Sequence, residues 1–183
     1  DRRLRLYLAT AVGLFVGYSG IQQTLGFQLQ DKLGLTGIET AQMTGAALMV
    51  AAAFTFLIQV TVMQRVKMAP TQFIRLGLLS LLFGAGVIAG FGSFALLGVG
   101  MAFVGVGLGL VMPALSAAAS LAVSAQEQGA AAGLVSACPA IGFVSGPIIA
   151  GALYQVHGPL APLFSASIFL LILAFLVLQD RHR

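Results

Sequence analysis

Phe94-Ala95-Leu96-Leu97-Gly98-Val99-Gly100-Met101-Ala102-Phe103-Val104-Gly105-Val106-Gly107-Leu108-Gly109-Leu110-Val111-Met112-Pro113-Ala114-Leu115-Ser116-Ala117-Ala118-Ala119-Ser120-Leu121 contains no charged side chain. A strand of a membrane barrel alternates apolar and polar residues for about ten positions. This stretch is apolar all round for more than twice that length. A hydrocarbon core takes about 20 residues of helix, and inside lipid only a helix satisfies its own backbone hydrogen bonds within one segment. The stretch therefore predicts a membrane-spanning helix, and the same argument extends outward in both directions. Apolar runs at 6–29, 43–63, 73–91, 94–121, 129–154 and 160–178 predict six spans. The breaks between them carry Asp31-Lys32-Leu33-Gly34, Gln64 to Pro70, Phe91-Gly92-Ser93, Ser124 to Gln128 and His157-Gly158-Pro159.

Composition agrees. Of the 183 residues, 59% are hydrophobic and 8% are charged, against about 25% charged in a soluble domain. There is too little charge to coat a globule in water, and six spans leave no room for a separate soluble domain. The chain begins at Asp1 rather than Met, and we read it as processed or as a piece of something longer. The basic start followed by an apolar run superficially resembles a signal peptide. No small-residue cleavage pattern interrupts that run, and five more spans follow.

The basic residues set an orientation. Arg2, Arg3, Arg5, Arg65, Lys67, Arg75, Arg181 and Arg183 fall on one side, and only Lys32 on the other. Positive loops stay in the cytoplasm, so both termini are expected there. The net charge of +4 does not point to nucleic acid, because the basic residues sit at loop ends without interleaved aromatics. Contact with anionic lipid headgroups is expected instead. Cys138 is alone. It excludes an internal disulfide and a cysteine metal site, and we expect neither a metal nor a cofactor.

Glycines recur four residues apart, as in Gly13/Gly17, Gly86/Gly90, Gly105/Gly109, Gly129/Gly133 and Gly142/Gly146. Small residues at that spacing let membrane helices approach closely. The pattern fits static packing and equally a helix that rocks against its neighbour. Gly105-Val106-Gly107-Leu108-Gly109 is no phosphate loop, because it lies inside an unbroken apolar run rather than between a strand and a helix start. Pro113, Pro139 and Pro147 are expected to loosen their helices.

Two stretches carry a family resemblance. Gly98 to Ser116, where glycines lead into Pro113 and small residues, resembles the tenth helix of major facilitator superfamily transporters. Glu127 to Leu134, continuing through Gly142-Phe143-Val144-Ser145-Gly146-Pro147-Ile148-Ile149-Ala150-Gly151, is similar to the eleventh helix of that family. The likeness covers the whole chain in span order and is closest to bacterial drug:proton antiporters of the tetracycline-efflux type. It implies an all-α fold, one half of a twelve-helix protein, built as a 3+3 inverted repeat. The loop Met63 to Pro70 lacks the Asp and Gly of the family's N-terminal half, and the fourth span lacks its Arg. Both departures point to the C-terminal half. The expected setting is the bacterial inner membrane, with the N-terminal six-helix half as partner.

No Asp, Glu, Lys, Arg or His falls near the middle of a span. Ionisable residues at that depth usually mark proton relays, so a coupling carboxylate would belong to the partner half. Uncharged polar residues cluster late in the first span: Tyr18, Ser19, Gln22, Gln23, Thr24 and Gln28. A buried amide is costly without a hydrogen bond, which leaves interhelical bonding and a cavity as alternatives. In the family the first helix of each three-helix repeat lines the central cavity. The resemblance thus implies Tyr18, Gln22 and Gln23 as substrate contacts, and Phe103, Met112 and Ser116 from the fourth span. Packing or lipid contact is the alternative for the latter three. Gly142, Gly146, Pro147, Gly151 and Pro113 are implied in helix packing and gating. Gln59, a lone amide, reads as structural and functional alike, and His157 reads as a solvated turn residue.

The expected activity is secondary transport of a small organic solute, by proton-coupled efflux and alternating access. The alternative is a six-helix homo-oligomer or scaffold without transport. A membrane enzyme fails for want of a Ser/His/Asp set, a His cluster or an intramembrane acid or base.

Overall fold

The computed structural model describes residues 3–158 and 160–181. Asp1, Arg2, Pro159, His182 and Arg183 lie outside the described residues, as does the side chain of Arg181, so part of the orienting basic set is not placed. The described residues form six long helices: α1 (Arg5–Leu33), α2 (Gly37–Arg65), α3 (Pro70–Gly90), α4 (Phe94–Leu121), α5 (Gln128–Val156) and α6 (Leu160–Arg181). A single 3-10 turn, Ala125–Glu127, precedes α5.

The breaks are chemically determined. Gly34 ends α1 at φ 65, a left-handed conformation that a side chain would strain. Thr36 and Glu39 form a capping box at the start of α2, in which each side chain satisfies a backbone N–H that the helix leaves open. That box starts α2 six residues before the expected 43. Pro70 opens α3 where its missing N–H costs nothing. The Ser93 hydroxyl accepts from Leu96 N at 3.3 Å to start α4. Ser124 and Glu127 repeat the capping box before α5.

Five helical stretches are long and apolar enough to cross a membrane: Gly37–Arg65, Pro70–Gly90, Phe94–Leu121, Ala125–Val156 and Leu160–Leu178. The helix α1 is as long but falls short in apolar character, because Thr10, Tyr18, Ser19, Gln22, Gln23, Thr24 and Gln28 interrupt it. It is also the better enclosed helix. Thr10, Ser19, Thr24 and Gln28 are all buried, shielded by protein rather than exposed to lipid. By contrast, α2 buries only Thr40, Ala47 and Ala51.

The helices pair as α1 with α5, α2 with α4, α3 with α4, α3 with α6 and α1 with α6. Glycine sets the closest approaches. On α4, Gly105 and Gly109 face α2 while Gly107 faces α3. A Cβ on Gly107 would fall 2.7 Å from the Gly77 carbonyl, and one on Gly84 would fall 2.8 Å from the Gly100 carbonyl. These two helices therefore touch backbone to backbone. On α5, Gly142 faces Phe15 and Val16 and Gly146 faces Val16, Ser19 and Gly20 of α1.

Polar contacts tie the ends. Arg3 donates to both carboxylate oxygens of Glu127, at 3.2 and 3.0 Å. At the other end the Tyr154 hydroxyl donates to Asp31. Lys32 donates to the Ala89 carbonyl at 2.7 Å and stands over the Phe91 ring, so it neutralises the C-terminal end of α3.

Candidate functional site

Two recesses lie side by side along the seam between α2 and α4. The first, about 310 Å³, is lined by Tyr18 of α1, by Leu48, Ala51, Ala52, Thr55, Phe56 and Gln59 of α2, and by Leu108 of α4. The second, about 380 Å³, is lined by Gln59 and Met63 of α2 and by Met112, Pro113 and Ser116 of α4. Gln59 is common to both. Each volume falls within the range that holds small organic ligands.

The seam explains the geometry. Gly105 and Gly109 carry no side chain, so the α2 backbone at Ala51 and Thr55 comes directly onto α4. The Thr55 hydroxyl bridges the Ala51 carbonyl at 2.9 Å and the Gly105 carbonyl at 3.0 Å. Side chains one turn further along α2 and α4, Gln59 and Met112, then diverge around the second recess. Pro113 lies inside α4 and has no N–H, so the Gly109 carbonyl loses its usual helix partner on this same seam.

The first recess has an aromatic shoulder. The Tyr18 ring meets Phe143 of α5 edge-on with centroids 6.3 Å apart, and Phe143 meets Phe15 at 5.9 Å. Phe56, 66% exposed, stands on the α2 side. No Asp, Glu, Lys, Arg or His lines either recess. The polar groups available are neutral. Ser116 donates to the Met112 carbonyl at 3.3 Å and Thr55 is occupied as above. Among the described residues, the Tyr18 hydroxyl and the Gln59 amide have no hydrogen-bond partner. A third hollow, about 400 Å³ along α6, is lined only by Leu170, Leu173, Ala174, Val177 and Leu178, and offers nothing to orient a polar solute.

The sequence-derived candidates separate accordingly. Tyr18 lines the first recess, and Met112, Pro113 and Ser116 line the second. Gln22 is half-buried and Gln23 exposed, and neither lines either of these two recesses. Phe103 stands elsewhere: its ring lies against Phe83 of α3 at 4.6 Å, and its carbonyl accepts from Ser80 at 2.7 Å. Gly142 and Gly146 sit in the α1–α5 seam, and Pro147 lies inside α5 beside it. A side chain on Gly151 would meet nothing within 4 Å, as would one on Gly86, Gly90, Gly129 or Gly133. Gln28 is fully buried and donates to Thr24 at 3.4 Å, while its carbonyl oxygen has no partner. Gln59 carried no distinguishing signal in the sequence. Its four-residue offset from Thr55, itself opposite the Gly105/Gly109 pair, is the pattern that places it on the α4 side.

Among the described residues no three His, Cys, Asp or Glu side chains gather to hold a metal. Known proteins give the wider context. No curated protein matches the chain. Among solved structures, a mutant of the peptide transporter POT in complex with sulfate superposes with a TM-score of 0.84 at 18% identity, covering 97% of this chain and 37% of that one. The alafosfalin complex of the same transporter gives 0.84 at 18%, covering 97% and 38%. The human organic anion transporter MFSD10 (TETRAN) gives 0.78 at 22%, covering 96% and 40%. The chain thus spans about two fifths of the length of these proteins, whose likeness is one of fold. The Major Facilitator Superfamily model matches residues 9–183. The chain therefore belongs to the Major Facilitator Superfamily and is a membrane-embedded, six-helix domain of it.

Proposed function

We propose that this chain is the C-terminal half of a twelve-helix secondary transporter. It moves a small organic solute outward across a bacterial inner membrane by alternating access, in exchange for protons. Both termini face the cytoplasm, and a second six-helix half closes the site. The observation that carries the reading is the pair of neutral recesses on the α2–α4 seam, bordered by helices with large uncovered faces. On α2, Phe54, Phe56 and Leu57 are exposed, and on α5, Ile141, Phe143, Val144 and Ile148 are. Apolar faces beside the recesses suit a partner half that completes the cavity as they suit lipid.

The helix pairing supports a 3+3 repeat. Exchanging the first three helices with the last three turns α1/α5 into α4/α2 and α3/α4 into α6/α1, while α3/α6 and α1/α4 map onto themselves; all of these contacts occur. Inverted repeats of this kind place the substrate near the bilayer midplane between rocking halves. No carboxylate lines the recesses, so the proton-carrying group belongs to the other half. The missing Asp and Gly in Met63 to Pro70 favour assignment to the C-terminal half.

The test is transport by the full-length protein in liposomes, with radiolabelled chloramphenicol as a neutral aromatic amide. A pH gradient is expected to drive accumulation several-fold above protein-free vesicles, and a protonophore to abolish it. Equal fluxes with and without protein, or with and without the gradient, would overturn proton-coupled transport of this solute class. If a full-length protein without any carboxylate in its other half still moved solute against its gradient, driven by protons, the division of labour would be wrong.

A further inference from the structure

We infer that Gln59 is the specificity-determining contact of this domain, and that it selects an uncharged amphipathic solute bearing one hydrogen-bonding group beside a ring. The inference rests on the transport reading and deepens it. Gln59 alone lines both recesses, so a solute occupying either one meets it.

The remaining polar groups are mostly committed. The Thr55 hydroxyl donates to Ala51 and Gly105 carbonyls, and the Ser116 hydroxyl to the Met112 carbonyl. That leaves the Tyr18 hydroxyl and the Gln59 amide for a ligand. A primary amide both donates and accepts, so it serves a carbonyl, a hydroxyl or an amide. The walls around it are apolar and polarisable: Phe56 and Leu108 on one side, Met63 and Met112 on the other. Such walls take a ring of variable outline.

These two recesses offer a charged solute no opposite charge, and one amide does not repay the desolvation of an ion. A neutral solute loses far less. The side chain of Gln59 is exposed in this half, so shortening it opens no buried cavity and separates recognition from folding.

The test uses the full-length transporter in nanodiscs, freed of other reactive thiols, with Ser116→Cys or Leu48→Cys as reporters of the two recesses. Maleimide labelling is timed with millimolar phenylacetamide, phenylacetate or phenethylammonium, which share a ring and differ in charge. Phenylacetamide is expected to slow labelling at both positions, reaching half-protection at a concentration about threefold or more below that of either ion, the effect of one net hydrogen bond on affinity. Gln59→Ala is expected to remove the protection while the size-exclusion profile stays monodisperse. Gln59→Glu is expected to transfer protection to phenethylammonium. Equal protection by all three probes, no protection by any, or protection unchanged in Gln59→Ala would each overturn the inference. Protection without gradient-driven flux would sink the transport reading and leave the site standing. Flux without Gln59-dependent protection would do the reverse.

Discussion

The α1–α5 and α2–α4 seams use the same device to different ends. Both bring a four-spaced glycine pair against a partner backbone: Gly142/Gly146 onto Phe15 to Gly20, and Gly105/Gly109 onto Ala51 to Ile58. Each adds one hydroxyl across the seam, Ser19 to the Gly142 carbonyl at 2.8 Å and Thr55 to the Gly105 carbonyl at 3.0 Å. The ends differ. The first seam is held at both, by Arg3 on Glu127 and by Tyr154 on Asp31. Among the described residues, none of the side-chain bonds joins the ends of α2 and α4. The two recesses lie along this second seam. A pair held only at mid-span leaves room along the seam, and the two recesses occupy it.

The largest expected effect breaks the comparison outright. In Gly146→Val the new side chain meets the Val16 carbonyl at 2.6 Å. It also meets the Ser19 hydroxyl and the Gly20 backbone in a seam held at both ends, so we expect a loss of about 3 kcal/mol, the upper range for overpacking, seen as little folded protein by thermal unfolding in detergent. Gly109→Val meets the Thr55 carbonyl at 2.9 Å, but α2 is free to yield, and a smaller loss is expected. Gly151→Val meets nothing within 4 Å and should behave as the parent. Equal losses in all three would show that the seams do not differ in rigidity.

Next in size is Gln59→Ala in the full-length protein. Solute affinity should weaken by about tenfold, the value of one hydrogen bond at the strong end, with the melting temperature unchanged. Gln23→Ala, outside both recesses, should shift affinity less than about twofold, a change below one net hydrogen bond. Flux titrations on both variants check this.

Smaller still are the two seam hydroxyls. Ser19→Ala and Thr55→Ala should each cost about 0.6 kcal/mol, the typical worth of a hydrogen bond between membrane helices. Thr55→Ala alone should also alter flux, since it borders the first recess. A flux effect from Ser19→Ala of the same size would blur the distinction between the seams.

The mildest effect comes from acid. Hydrogen bonds from Arg3 and then Ser124 hold the Glu127 carboxyl down to about 2 from an ordinary 4.5. A carboxyl whose folded value lies below its unfolded one contributes fully above the unfolded value and loses that contribution as pH falls toward the folded one. The window is therefore pH 4.5 down to 2. Both side chains are about half exposed, at 47% and 48%, so salt screens the pair. Amide exchange near Arg5 should quicken across that window once intrinsic rates are removed, and Arg3→Ala should flatten the response. Exchange around Thr55 should not follow it.

Much of the fold was legible because lipid judges each stretch locally. A run such as Phe94–Leu121 must be a helix wherever its neighbours lie, and the expected bounds match the observed ones there. Hydropathy marks the apolar run from 43, while the capping-box spacing of Thr36 and Glu39 sets the helix start at Gly37. The low apolar character of α1 was visible as a string of hydroxyls and amides. Which of those polar residues would be buried against protein was not. Tyr18 and Ser116 were legible as polar residues on spans that the resemblance puts at a cavity. Which neighbour the Phe103 face meets was not legible, because periodicity does not name the partner helix; its ring lies against Phe83 of α3.

The sequence by itself determined six helices, their breaks and a lipid setting, because the cost of an unpaired backbone group or a charge in hydrocarbon is levied residue by residue. Only the tertiary structure decided that Gln59, rather than Gln22 or Gln23, stands between the two recesses. That position depends on how closely Gly105 and Gly109 let α2 approach α4, a distance between helices that no single stretch of chain encodes.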